Sequence, residues 1–210
     1  LSYMARVNYD YKNRYLFTVT GRADGSSVFA PGHKWGYFPS AALAWRIDAE
    51  PFMQSLRKIN TLKLRLSYGS TGFNGIVPYG TFSTLRKSAY AFGENGMNGF
   101  LPATISNPNL KWETSEQLNF GLDFGMVKNR ISGSLDWFYK DTKDMLLNLA
   151  VPRTTGFSTM MTNIGAVRNT GVELMINSIN TEGIFNRQST LNFAWLRNEV
   201  RDLGSNKVIY

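Results

Sequence analysis

The chain has 210 residues with a formal net charge of +8, 14% aromatic residues, 19 Gly and no Cys. That length suits one ordinary domain, and an aromatic- and Gly-rich balance points to antiparallel β structure. No run of 18 or more apolar residues is present, which excludes a transmembrane helix, and Lys and Arg are scattered rather than gathered in one run, which argues against nucleic acid as a partner.

Taken in chain order, the sequence is dominated by a period of two. Strands are predicted at 2–11, 15–25, 36–48, 61–72, 111–126, 131–146, 168–181 and 188–202. In the third, Tyr37, Pro39, Ala41, Leu43, Trp45 and Ile47 alternate with positions that include Ser40, Arg46 and Asp48. In the fourth, Leu62, Leu64, Leu66 and Tyr68 alternate with Lys63, Arg65, Ser67 and Gly69. Leu118, Phe120, Leu122, Phe124 and Met126 alternate with Gln117, Asn119, Gly121, Asp123 and Gly125. Leu135, Trp137 and Tyr139 follow against Ser134, Asp136 and Lys140, then Val172, Leu174 and Ile176, and finally Leu191, Phe193 and Trp195. Strict alternation gives each strand one apolar and one polar face. Several runs extend over about ten residues, the length a tilted strand needs to cross hydrocarbon, whereas strands of soluble sandwiches run to ~5–6.

The connections alternate as well. Short links are expected at Lys12-Asn13-Arg14, 49–60, Lys128-Asn129 and 183–187, and long ones at 26–34, 74–110 and 148–167. Short turns at one end and long loops at the other is the outer-membrane arrangement, with the short turns periplasmic. A two-residue loop at Lys128-Asn129 sets Leu122 opposite Leu135 and Phe120 opposite Trp137. A three-residue loop at Lys12-Asn13-Arg14 sets Tyr9 opposite Phe17 and Val7 opposite Val19. Both keep apolar against apolar. Tyr37 and Trp112 near the long-loop end, and Tyr15 and Trp45 near the short-turn end, fit a lipid-interface belt. Pro51, following Glu50, suits the start of a short helical turn.

Candidate chemistry is sparse. His33 is the only histidine, so no multi-His metal site exists, and no Gly-x-Ser-x-Gly elbow provides a nucleophile. Gly93, Gly96 and Gly99 lack the Lys-Ser/Thr of a phosphate loop. Asp123 with Asp136, and Asp141 with Asp144, mimic paired acid/base carboxylates, but neighbouring Lys, Ser and Asn suit a hydrated wall. We therefore assign no catalytic residue, cofactor or metal. Lys63, Arg65, Asp123, Asp136 and Lys140 are expected to line a lumen. Tyr79, Phe82, Tyr90, Phe92 and Phe100, in the longest loop, are candidates for contact with a ligand or partner.

Five blocks carry a family resemblance. RADGSSVFAPGHKWGYFPSAALAWRI (22–47), LKLRLSYGSTGFNGI (62–76), NPNLKWETSEQLNFGLDF (107–124), FYKDTKDMLL (138–147) and NIGAVRNTGVELMI (163–176) resemble, in the same order, segments of the SusC/RagA barrels. The resemblance implies a TonB-dependent outer-membrane transporter of Bacteroidota-type bacteria, with a plug inside a barrel of 22 strands. It further implies uptake of oligosaccharides, peptides or other nutrients, TonB as the energy-coupling partner and a SusD-like lipoprotein over the outer face. On this reading the 210 residues are eight wall strands with their loops, in an all-β antiparallel transmembrane barrel. Plug, TonB box and leader are expected to lie outside them. Two further readings stay open at this point: a complete eight-stranded outer-membrane barrel, structural or enzymatic, and a soluble carbohydrate-binding β domain.

Overall fold

The computed structural model describes residues 1–53, 55, 58–93 and 95–204. Eight long strands form one antiparallel sheet: β1 (Ser2–Tyr11), β2 (Tyr15–Gly25), β3 (Trp35–Arg46), β4 (Ile59–Phe73), β7 (Glu113–Met126), β8 (Ile131–Lys143), β11 (Ala166–Thr181) and β12 (Arg187–Asp202). They follow one another as a meander, and the sheet is open, with β1 and β12 at its edges. The eight expected strands are all present, with ends displaced by a few residues.

Local chemistry fixes the turns. Lys12 and Asn13 adopt positive φ, and the Asn13 amide donates to Asp10 Oδ1 at 2.8 Å. Left-handed backbone at successive turn residues matches the twist of the flanking strands. Val127, Lys128 and Asn129 are likewise left-handed, and the Arg130 amide donates to the Val127 carbonyl at 3.2 Å. Asn60 Oδ1 accepts from the Lys128 amide at 2.6 Å, which ties this turn to β4. The registers are those the sequence demands: Tyr9 faces Phe17, Val7 faces Val19, Leu122 faces Leu135 and Phe120 faces Trp137. Ile47–Ala49 and Pro51–Met53 form short 3-10 turns between β3 and β4, the second beginning at the proline expected to start one.

Register carries the alternation across the whole sheet. One hydrogen-bonded row reads Tyr9, Phe17, Leu43, Leu66, Phe120, Trp137, Val172 and Trp195. The next reads Tyr11, Tyr15, Trp45, Leu64, Leu122, Leu135, Leu174 and Phe193. On the opposite face a row reads Arg6, Thr20, Ser40, Gly69, Gln117, Lys140, Asn169 and Asn198. The large residues of the apolar rows are largely exposed, Trp195 by 55% and Phe120 by 46%. A single sheet therefore presents a broad greasy face with no second layer packed upon it among the described residues.

The long-loop end departs from the sequence reading. The 74–110 segment is not a plain loop: it holds a hairpin of β5 (Leu85–Phe92) and β6 (Asn95–Pro102). The predicted 131–146 strand stops at Lys143, because Asp144 turns left-handed at φ 56°. A second small hairpin follows, β9 (Leu146–Ala150) with β10 (Thr159–Asn163).

Buried apolar residues lie at that end as well. Phe29, Ile76 and Leu110 are almost fully covered, with Val28, Trp112, Leu146 and Met161 packed around them. Asparagines pin the loops together. Asn107 Nδ2 donates to the Met161 carbonyl at 2.9 Å, and Asn163 Nδ2 donates to the carbonyls of Lys111 and Asp144, each at 2.8 Å. The Lys111 amide returns a bond to Asn163 Oδ1 at 2.9 Å. Three loops thus share one small core.

Gly133 shows how tightly β8 and β11 approach. A Cβ there would collide with the Met175 carbonyl oxygen and press on the Phe124 ring. Because the blocking atom is backbone, it cannot rotate away, and overpacking of this kind costs ~1–3 kcal/mol. Gly133→Val is expected to lower the urea or heat midpoint of the folded protein, while Gly96→Val, with open space around it, leaves it unchanged.

Candidate functional site

The five polar residues singled out from sequence all lie on the polar face, and four of them meet. Arg65 on β4 faces Gly121, which faces Asp136, while Lys63 faces Asp123. Because Gly121 has no side chain, the Arg65 guanidinium spans the gap above it. A Cβ at Gly121 would collide with the Arg65 guanidinium and with Asp136. Arg65 Nε donates to Asp123 Oδ2 at 2.9 Å and its NH2 to Asp123 Oδ1 at 2.8 Å and Asp136 Oδ1 at 2.7 Å. Lys63 Nζ stands 3.9 Å from Asp123. Fork-shaped recognition of this kind is what a guanidinium does and an ammonium does not. Lys140 stands apart, between Gln117 and Asn169.

Beside this network lies a shallow recess of about 400 Å³ lined by Arg65, Ser67, Gln117, Asn119, Asp136 and Glu173, with Phe138 among them. Gln117 Nε2 donates to Asn119 Oδ1 at 2.7 Å, and Asn119 Nδ2 to Ser67 Oγ at 3.3 Å. Glu173 and the Gln117–Asn119–Ser67 chain were not singled out from sequence; position on the polar parity was the signal that marked them. The lining is suited to hydrated, reversible polar contact. Asp123 and Asp136 do not act as an acid/base pair, since one guanidinium engages both.

The loop aromatics are less united. Tyr90 and Phe92 share one side of the β5–β6 hairpin, ring centroids 5.9 Å apart and edge to face. Phe100 faces Lys87 and so lies on the hairpin's other side. Tyr79 occupies a left-handed turn position, and Phe82 follows it; both are exposed. The structure brings two of the five together.

Of the proposed belt, Tyr37 is exposed on the apolar parity of β3 at the long-loop end. Trp45 lies at the short-turn end, stacked on Tyr15 with centroids 6.3 Å apart. Trp112 departs from the expectation. It precedes the first residue of β7, so strand parity does not reach it, and its ring packs against Phe29 and Phe38 at 5.4 and 5.5 Å. Phe38 belongs to the polar parity, opposite Arg22. Trp112 Nε1 donates to the Lys34 carbonyl at 3.2 Å. Its place is the loop core, not the apolar rim.

Glu50 was not singled out from sequence. It is 7% exposed and gathers the polar ends of the short-turn rim. The Tyr15 hydroxyl donates to it at 2.7 Å, Trp45 Nε1 at 3.1 Å and Arg14 NH1 at 3.2 Å. The Tyr15 and Trp45 donors, aided by the Arg14 charge, hold its carboxyl below the usual carboxylate range against the opposing cost of burial. Sequence concealed this because the partners come from two turns that meet only after folding.

Two outcomes follow. Arg65→Ala leaves two carboxylates facing each other and is expected to cost roughly 1 kcal/mol, little more because the group is part-exposed. In an Asp123→Asn, Asp136→Asn background the same change should cost less, a coupling a mutant cycle by urea unfolding will read. Because the folded state depresses the Glu50 pKa, the stabilisation is complete at neutral pH and disappears as pH falls through the lowered value. Glu50→Gln is expected to lower the unfolding midpoint at neutral pH and to flatten its decline in acid; a curve parallel to the parent's would dismiss the latch.

Comparison with known proteins agrees with this geometry. Residues 2–208 match the family described as TonB dependent receptor-like, beta-barrel. The chain is 40% identical over 204 residues to TonB-dependent receptor P26 of Formosa agariphila, covering 97% of this chain and 21% of that protein. It is 39% identical over 211 residues to TonB-dependent receptor SusC of Bacteroides thetaiotaomicron, covering 97% and 21%. Among solved structures it is similar to the RagAB peptide importer in the closed-closed state, with a TM-score of 0.89 at 30% identity over 96% of this chain and 22% of that one. The siderophore receptor PirA from Pseudomonas aeruginosa shares the fold at 14% identity, with a TM-score of 0.64 over 96% and 34%. The chain spans about a fifth of the length of the curated relatives it matches. With its eight-strand meander, its apolar rows across the middle of one face and a family match over nearly its whole length, the chain belongs to the TonB-dependent receptor β-barrel family.

Proposed function

We propose that this chain is part of the wall of an outer-membrane receptor that imports a nutrient at the expense of TonB-coupled energy. The observation that carries the reading is the sorting of the middle of an eight-strand sheet into an apolar face, with the rows from Tyr9 to Trp195 and from Tyr11 to Phe193, and a polar face opposite, in a member of this family. A surface of that kind suits lipid on one side and a hydrated lumen on the other. The open edges support a wall segment over a small closed barrel, since unpaired edge groups in hydrocarbon cost several kcal/mol each. A soluble domain would need a second sheet to cover the apolar face.

On this reading Lys63, Arg65, Asp123, Asp136 and Lys140 line the lumen, and Glu173 joins them. The long loops are extracellular. The β5–β6 hairpin, with Tyr90 and Phe92 exposed side by side, contacts the substrate or a SusD-like surface lipoprotein. The similarity to SusC and to the RagAB peptide importer supports an oligosaccharide or a peptide as substrate. Tyr37 and Trp45 lie at the two lipid interfaces.

The test is uptake by whole cells of labelled oligosaccharides and peptides, comparing the parent strain with deletions of the receptor and of TonB. Uptake of at least one substrate is expected to need both genes. A Tyr90→Ala, Phe92→Ala receptor, present at the surface at parental level, is expected to lose uptake several-fold at low substrate concentration. Uptake of every substrate that survives loss of the receptor would overturn the proposal.

A further inference from the structure

The apolar face is not level across the sheet. On β3 outward apolar residues continue through Tyr37 to Trp35, but on β12 they end at Trp195, above which come Arg197 and Glu199. Trp195 lies in the row of Leu43, six residues below Tyr37 on β3. The upper limit of the apolar band therefore stands at least six residues lower on β12 than on β3, five strand steps away, with Tyr68, Leu118 and Tyr139 at an intermediate level in the row of Ala41. At ~3.3 Å per residue and ~4.8 Å per strand, a fall of six residues is a mean slope of roughly 40°, comparable with the ~35–45° tilt of outer-membrane barrel strands.

A lipid layer has two parallel boundaries, so the lower limit must fall with the upper. On β3 it lies at Trp45, whose row reaches β12 at Phe193. Carried down by the same six residues, it reaches Arg187, the first residue of β12. Here the strands alone do not supply the apolar surface. β7 offers five outward apolar residues from Leu118 to Met126, whereas β12 offers only Leu191, Phe193 and Trp195. Below them, Ser178 and Ser189 are tied to Asn180 by bonds of 2.8 and 2.7 Å.

The turn that follows has the missing apolar surface. Ile184 is 111% exposed and Phe185 75%. The Gly183 amide donates to Asn186 Oδ1 at 3.0 Å, which closes the turn and leaves these two at its apex. The other tight turns at this end present Lys12-Asn13-Arg14 and Lys128-Asn129. Adjacent bulky apolar residues at a turn apex are out of place in water.

We propose that the β11–β12 turn is a membrane anchor, with Ile184 and Phe185 seated in the periplasmic leaflet of the lipid. This continues the lipid-facing band and rests on the membrane-wall reading above. The test places single cysteines, in the full-length receptor freed of any other cysteine, at Phe185, Leu191 and Asn13. Each is labelled with an environment-sensitive fluorophore in phosphatidylcholine vesicles with and without nitroxide-labelled lipid. The label at 185 is expected to be quenched nearly as strongly as that at 191 and several-fold more than that at 13. Quenching at 191 but not at 185 overturns the anchor and leaves the wall intact. So does a label at 185 shielded from both nitroxide lipid and aqueous iodide, which would mean that protein covers the turn. Loss of quenching at 191 as well overturns the wall reading itself.

Discussion

Everything in this structure depends on register. Because side chains alternate strictly along a strand, a slip of one residue between neighbours would send a whole strand's apolar set to the wrong side. The row from Tyr9 to Trp195 survives seven successive pairings without such a slip. What enforces it is local. The turns at Lys12-Asn13-Arg14 and Lys128-Asn129 set the pairing at one end through left-handed residues and side-chain bonds to Asp10 and Asn60. Irregular pairing appears at Ile59/Thr61 and near both ends of β11, close to the turns and loops and away from the middle of the sheet.

The same logic explains what could be read from the sequence. Period-two patterning is a property of each strand alone, and hairpin register needs only the two strands flanking a short turn. Both were legible, down to Phe120 against Trp137. The long-loop end was not. Its small core joins Phe29, Ile76 and Leu110, from segments far apart in sequence, and is closed by asparagine bonds from Asn107 and Asn163. No local periodicity encodes such contacts. Trp112 shows the consequence: one residue before Glu113 the strand parity lapses, and an indole that counted as outward packs inward against Phe38. The β5–β6 hairpin was hidden for a second reason. Its strands carry Gly96 and Gly99 and are exposed on both faces, so neither face has to be apolar and no clean alternation appears.

The polar face holds its charges differently from an enzyme. A catalytic carboxylate pair needs its two groups in unlike environments, so that one is protonated and the other is not. Here Arg65 grips Asp123 and Asp136 together, and the guanidinium stays charged at any working pH. Both carboxylates are therefore engaged by the same guanidinium. That arrangement stiffens the middle of the sheet where Gly121 leaves a gap. The neighbouring recess, with Gln117, Asn119 and Glu173, is lined by donors and acceptors.

On the proposed wall reading, the bonds to Glu50 bear on how the sheet is held against sliding in its surroundings. Tyr15 and Trp45 are amphipathic, and each has one polar atom that must find a partner when its ring is covered. In a purely lipid-facing residue that partner would be water at the interface. Here it is a buried carboxylate fixed by Arg14. On that reading the rings are set in height by the protein itself, with their polar tips locked at the rim. A belt built in this way would not adapt to a thicker or thinner layer by rotamer changes; the layer, or the tilt of the strands, would adapt instead.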